Sequence, residues 1–387
     1  MPKQILFVIT NLGSGGTNRS LQNLLSKIDT SRYKADVFVM AHQGPYRDEL
    51  LNCTILPRNK YVDALIALLE QRKGINKLGS FVIKLIAKVT KYKFQDLLFR
   101  KISNKLIDKK QYDAVIAYCE GVPTQFICYV KHHNKIAWIH CDYASYLENN
   151  PALNEDNLYN TFNSIVCVSE YTKGSFLKFY PDFAGKVYAI YNILDDEMMK
   201  KQAQLESDTL FDKKKFNIVS IGRIDPIKHL SAIPVLAREL IDGGSNICWY
   251  IIGPVGTHAE YDLLKRNITK YNVHDSVKLL GEKNNPYCYI INADLLVNTS
   301  LSEANPYVIN EAKILHVPVV CTNFGSAKEL INYGVNGYYE PLDKISERIK
   351  SLIDNSDKYN SIKAELSTFI YDNDAILSKV YLLINKH

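Results

Sequence analysis

Apolar and polar positions alternate along this chain in a regular way. Short apolar runs rich in β-branched residues are separated by longer stretches whose apolar residues recur at helical spacing. The first series predicts strands at 5–9, 36–41, 54–56, 114–118, 135–143, 164–168 and 187–191. A second series predicts them at 217–222, 247–253, 277–280, 294–297 and 317–320, with helices near 259–271 and 286–292 and a last one over 375–384. Strands of this kind divided by helical stretches indicate βαβ units and parallel sheets. The polar stretch 195–215, DDEMMKKQAQLESDTLFDKKK, interrupts the series and marks a connection. A chain of 387 residues exceeds what one core usually supports, so the pattern predicts two α/β domains. Their bounds fall at 1–193 and 216–370, with a linker over 194–215 and a terminal helical segment over 371–387.

The stretch LLVNTSLSEANPYVINEAKILHVPVV, from Leu295 to Val320, reads as strand, loop, helix and strand. Pro306 stands where a helix starts, a position at which a missing N–H costs nothing. Glu303 precedes that helix and Glu311 lies inside it. At the carboxyl end of a parallel sheet, a loop and a helix start offer free N–H groups and a positive dipole end to anions. A carboxylate there repels a bare phosphate but accepts two hydrogen bonds from a vicinal diol. A nucleotide sugar carries both phosphates and diols. Two solvated surface charges would account for the same pair of glutamates.

Other strand ends carry further candidates. NLGSGGTNRS follows the first strand, and its glycines let backbone N–H groups approach a ligand; a tight turn alone would also explain them. The spacing of Gly13, Gly15 and Gly16 does not fit GxGxxG, which disfavours a nicotinamide cofactor. KIAWIHCDY ends in His140 and Asp142, a structural or a functional pair. GRIDPIK sets Arg223 and Lys228 about a strand-to-helix connection, where a guanidinium fork and a point charge could neutralise a diphosphate. Asp372-Asn373-Asp374 could bind a metal-held diphosphate, but its place before the last helix favours a capping role.

Composition alters the picture in two ways. The eight cysteines include no CxxC pair and no zinc spacing, so they read as reduced core residues of a cytosolic protein. No apolar run of 18 residues occurs and the amino terminus passes directly into a strand, which argues against a spanning helix or an ordinary cleavable signal. The net charge of +6 is local: residues 71–110 hold +10, leaving −4 elsewhere, unlike a diffuse nucleic-acid footprint. Within 77–91, Leu78, Phe81, Val82, Leu85, Ile86 and Val89 share one helical face and Lys77, Lys84, Lys88 and Lys91 the other. Such a helix packs on its own domain or lies on an anionic membrane; the charge density favours the membrane.

Taken together, GSGG, WIHCDY, YNILDD, GRIDPIK and EANPYVINE make the chain resemble, over nearly its full length, the retaining GT-B glycosyltransferases called glycosyl transferases group 1. GRIDPIK is similar to that family's GR-x-x-x-x-K phosphate motif and EANPYVINE to its E-x7-E motif. The resemblance implies two Rossmann-like domains facing a central cleft, with the C-terminal helix able to return to the N-terminal domain. It also implies a metal-independent hexosyltransferase acting on a nucleoside-diphosphate sugar, UDP-sugar favoured, as co-substrate and without a cofactor. Gly15 and Gly16 would face the donor phosphates, with Arg223 and Lys228 on the leaving diphosphate. Glu303 would face the donor sugar, Glu311 the ribose, and His140 would sit near the sugar. Asn192, Gly253, Glu282 in the turn Gly281–Lys283, Asn305, Tyr307 and Val308 complete the implied donor set. Ala304-Asn305 stands where a Gly-aromatic pair is commoner in the family. The acceptor expected is a glycan or glycolipid met by a peripheral protein at the inner face of the cell membrane. An epimerase or hydrolase of the same fold, or a non-catalytic partner, stays open as the alternative.

Overall fold

The computed structural model describes residues 1–13, 15–41, 44, 50–59, 62, 66, 93–107, 110–150, 158–205 and 211–386. The chain forms two compact units, Met1–Leu194 with Asn373–His387, and Asp195–Asp372. The basic face carrying Lys77, Lys84, Lys88 and Lys91 lies outside the described residues.

In the first unit the strands are β1 (Lys3–Ile9), β2 (Tyr33–Val39), β3 (Cys53–Ile55), β4 (Ala114–Ala117), β5 (Lys135–Ile139), β6 (Ser164–Cys167) and β7 (Val187–Ala189). All pair in parallel, in the order β3-β2-β1-β4-β5-β6-β7. The strands are apolar on both faces, as a sheet covered by helices on each side requires; Ile5, Leu6, Phe7 and Val8 are fully buried. The sequence runs β5 on to 143, but the strand stops at Ile139. Asp142 accepts the N–H of Ala144 and starts a helix, Tyr143–Asn149, whose Tyr143 is buried among aromatic rings.

The second unit holds β8 (Phe216–Ile221), β9 (Ile247–Ile252), β10 (Val277–Gly281), β11 (Leu295–Asn298), β12 (Val319–Thr322) and β13 (Gly337–Glu340). They too are parallel, in the order β10-β9-β8-β11-β12-β13. The expected α/β class is therefore present in both units, each a doubly wound sheet whose strand order reverses between its first and fourth strands. A ligand site at such a point lies outside the carboxyl ends of the two strands.

Three expectations need correction. The stretch 195–215 is not only a polar connection: it contains the helix Asp196–Ala203, capped by Asp195, and Gln202 accepts a hydrogen bond from Asn285 within the second unit. The predicted series of strands ends at 317–320, whereas a further strand, β13, follows the turn at Asn336 at once, because Gly337 at φ 159 lets the backbone pass against Val319. The final helix begins at Asn373, two residues before the expected 375, which puts Asp372 at its cap position and Asp374 in its first turn. Asn373 exchanges two hydrogen bonds with the backbone of Leu194, at 2.7 and 3.1 Å. Tyr381 of that helix stacks on Tyr33 at 4.5 Å, and Asn134 donates to the carbonyls of Leu383 and Ile384, which attaches the C-terminal segment to the first unit.

Candidate active site

In the second unit, two loops at the carboxyl ends of the central strands β8 and β11 are joined into one piece. Thr299 Oγ1 donates to the carbonyls of Lys228 and His229, at 3.0 and 3.2 Å, and the Leu301 N–H donates to the carbonyl of Ile227 at 2.8 Å. Across this junction Lys228 Nζ meets Glu303 Oε1. The same oxygen accepts from Ser300 Oγ at 2.7 Å, and Ser326 Oγ holds the Glu303 carbonyl at 2.9 Å.

Arg223 is set by an internal carboxylate. Its Nε donates to Asp225 Oδ2 at 2.7 Å, while Asp225 Oδ1 accepts the backbone N–H of Lys228 at 3.0 Å. Asp225 is buried, whereas the Arg223 side chain is 57% exposed, so the outer fork of the guanidinium points to solvent. The arginine stem lies across Gly256, where a Cβ would come within 2.6 Å of Arg223 Cγ. Gly253 has a different constraint: at φ 149, a Cβ there would stand 1.9 Å from the Gly222 carbonyl oxygen, so only glycine lets the ends of β8 and β9 approach.

The helix after Glu303 runs Tyr307–Ile314, with Pro306 at its cap and no side chain closing its first turn. A helix start of this kind carries the positive end of the helix dipole, which favours an anion or a hydroxyl oxygen. Glu311 within it is 2% exposed and the Glu303 side chain 11%, so neither is a solvated surface charge. Asn305 and Val308 are buried at the same turn, Tyr307 is partly buried, and Glu282 is exposed beyond β10.

In the first unit, Gly15 is extended at φ −179 and caps the helix Gly16–Lys27; a Cβ added there would meet nothing within 4 Å among the described residues. Neither backbone conformation nor packing inside the unit demands glycine at that point, which leaves room for a ligand. Asn18 and Asn11 brace the turn through Gly13, at 2.5 and 2.9 Å. One turn into the helix, Ser20 contacts the Tyr118 hydroxyl at 2.8 Å and donates to Asn192 Oδ1 at 2.8 Å, and all three are buried. Asn192 is thus tied to the glycine-loop helix and to the end of β4.

His140 ends β5 with its main-chain N–H donated to Glu120 Oε2 at 2.9 Å. Burial pushes its imidazole down to about 3, opposed by a hydrogen bond to the Tyr118 backbone. Its Nε2 is sealed from solvent and has no protein partner among the described residues. The ring is therefore neutral, with Nδ1 the donor and a lone pair left on Nε2. Asp142, paired with His140 in the sequence reading, has no such opening: it accepts from Ser145, Tyr171 and Ser175 besides its capping bond. Its role is structural.

Sequence reasoning passed over Asp225, Ser300, Gly256, Glu120 and Tyr118. Asp225 was visible only as half of an Asp-Pro turn, and the others had no local signal beyond lying next to a strand end. Among the described residues, no group of three or more His, Cys, Asp or Glu side chains could hold a metal, and no helix is long and apolar enough to cross a membrane. None of the eight cysteines forms a disulfide.

These two doubly wound units with strand-end sites have the GT-B architecture. HepE of Anabaena, solved with UDP and glucose, superposes with a TM-score of 0.72 at 18% identity, covering 99% of each chain. A glycosyltransferase of Rickettsia africae gives 0.74 at 16% identity, covering 99% of this chain and 98% of that one. Residues 201–366 match the family described as glycosyl transferases group 1. Among curated relatives, an N-acetylgalactosamine-N,N'-diacetylbacillosaminyl-diphospho-undecaprenol 4-alpha-N-acetylgalactosaminyltransferase of Campylobacter jejuni is 31% identical over 169 residues, 43% of each protein. A sucrose synthase of Thermosynechococcus vestitus is 28% identical over 165 residues, 38% of this chain and 20% of that enzyme. The chain thus matches less than half the length of these relatives.

Proposed function

We propose that the protein is a retaining, metal-independent glycosyltransferase that moves a hexose-type sugar from a UDP-sugar to a lipid-linked glycan or glycolipid. The observation that carries this reading is the meeting of Lys228 with Glu303, 75 residues apart, at the carboxyl ends of adjacent strands. One side chain suits a phosphate and the other a sugar hydroxyl, and a helix begins four residues after Glu303.

The chemistry follows from charge. As the bond between the anomeric carbon and the diphosphate breaks, its electron pair goes to the departing phosphate oxygen, and positive charge develops on the sugar. The outer fork of Arg223 and the Lys228 ammonium stabilise that oxygen's charge. Glu303 accepts hydroxyl hydrogens from the sugar and Glu311 those of the ribose. Attack from the same face forms the new bond to the acceptor oxygen, whose proton passes to the leaving diphosphate. Retention of configuration results.

The basic segment 71–110 supports a peripheral place at the cytoplasmic face of a membrane. Its described part, the helix Lys93–Ile107, keeps Arg100, Lys101 and Leu97 exposed. The Campylobacter relative, by its name, works on a diphospho-undecaprenol acceptor. An assay of UDP release with and without a lipid-linked glycan tests the reaction class. Release that depends on acceptor and drops about 10²-fold in Arg223→Ala and Lys228→Ala is expected. Undiminished turnover in the double variant, or equal release without any acceptor, contradicts it.

A further inference from the structure

The two cations of the second unit are countered in different ways. Asp225 is built into its loop, since one oxygen holds Arg223 and the other the backbone of Lys228. Lys228 is countered by Glu303, the residue that the proposed function assigns to the donor sugar. Glu303 is also prevented from withdrawing. Ser300 Oγ and Lys228 Nζ share its Oε1, and Ser326 holds its carbonyl. Ser300 is itself buried, its N–H donated to Asn298 Oδ1 at 2.9 Å and its carbonyl accepting from Thr322.

A fixed carboxylate beside the phosphate cation treats the donor and the spent nucleotide differently. In the nucleotide sugar, the terminal phosphate is esterified and the sugar presents hydroxyl donors that a carboxylate accepts. Once the sugar has left, those donors are gone and the terminal phosphate oxygen has gained negative charge. The carboxylate then opposes the phosphate and already occupies part of Lys228.

From this arrangement we infer that Glu303 discriminates between the nucleotide sugar and the free nucleoside diphosphate, weakening retention of the product and so promoting its release. The inference rests on the proposed donor site. Ser300 is the positioning residue that keeps the carboxylate in place.

Calorimetric titration of wild type, Glu303→Gln and Ser300→Ala with UDP and with UDP-glucose tests it. Removing the charge should tighten UDP binding about tenfold while leaving UDP-glucose binding equal or weaker. Ser300→Ala keeps the charge but frees the carboxylate to withdraw, and should tighten UDP binding by less than Glu303→Gln does. If Gln does not fold at position 303, Glu303→Ala removes the same charge and carries the comparison. A folded, charge-free variant that binds UDP no more tightly than wild type overturns the inference, as does Ser300→Ala tightening UDP as much as the charge removal. A wild type that binds neither ligand overturns the proposed donor reading, and this inference with it.

Discussion

Arg223 and Asp225 are paired through a single nitrogen, Nε to Oδ2 at 2.7 Å, which turns the outer fork of the guanidinium away from its own counter-charge. Because the other oxygen of Asp225 holds the Lys228 backbone, one buried carboxylate positions both cations. Asp225→Ala should therefore resemble partial loss of both, with kcat/KM reduced about 10- to 100-fold and some loss of stability from the uncapped Lys228 N–H. Asp225→Asn, which keeps the hydrogen-bonding shape, should recover part of it. Steady-state kinetics of the two variants check this, and wild-type kcat/KM in Asp225→Ala would contradict the positioning of both cations by this carboxylate.

Glycine at 256 is required by the arginine stem. Gly256→Ala would push a methyl to 2.6 Å from Arg223 Cγ, so Arg223 must leave its position. Melting temperature should change little, because the arginine is exposed, while UDP-sugar affinity should fall several-fold. Gly253→Ala should behave in the opposite sense. Its clash is with the Gly222 carbonyl at 1.9 Å in a strained backbone region, and a stability loss of about 2–4 kcal/mol is expected in denaturant unfolding.

His140 links stability to pH. Burial lowers its folded value to about 3, below the ordinary value of 6.5. Between those values the unfolded chain binds the proton and the folded chain does not. The stability contribution is therefore complete above about pH 6.5 and is lost progressively as pH falls toward 3, by at most about 1.4 kcal/mol per pH unit. Unfolding midpoints measured from pH 7 to 4 should show a shallower decline in His140→Gln. An identical slope in the two proteins would contradict the buried neutral imidazole.

How much of this was legible in the sequence depended on whether a residue's role is local. Lys228 and Glu303 stand in two short motifs next to recognisable strands, so both could be placed at strand ends from the sequence, and the pairing of β11 with β8 brings them together. Asp225 could not, because its function depends on side-chain direction inside a turn. The end of β5 was misread since no Gly or Pro follows Ile139 in KIAWIHCDY, and the chain leaves the strand where Asp142 caps the next helix. Strand β13 was hidden behind Asn336-Gly337, which reads as a turn although Gly337 is the first strand residue. The tie between Asn373 and Leu194 spans 179 positions and has no sequence signal at either end.

The membrane proposal has its own test. Each Lys or Arg near an anionic leaflet contributes about 1 kcal/mol, so residues 71–110 should hold the protein on anionic vesicles at low salt. Co-sedimentation should weaken with added salt and drop when Lys77, Lys84, Lys88 and Lys91 are changed to glutamate. Wild-type protein remaining in the supernatant at low salt would refute membrane contact without touching the transferase reading.

The central claim is that the second unit holds a nucleotide-sugar donor through Arg223 and Lys228, and a thermal-shift panel of UDP-, GDP- and ADP-sugars addresses it most directly. A ligand at 100 times its dissociation constant adds about 2.7 kcal/mol of stability. The account predicts such a shift with UDP-sugars and its loss in the Arg223→Ala/Lys228→Ala double variant. No shift with any nucleotide sugar, or a shift undiminished in that variant, would contradict it.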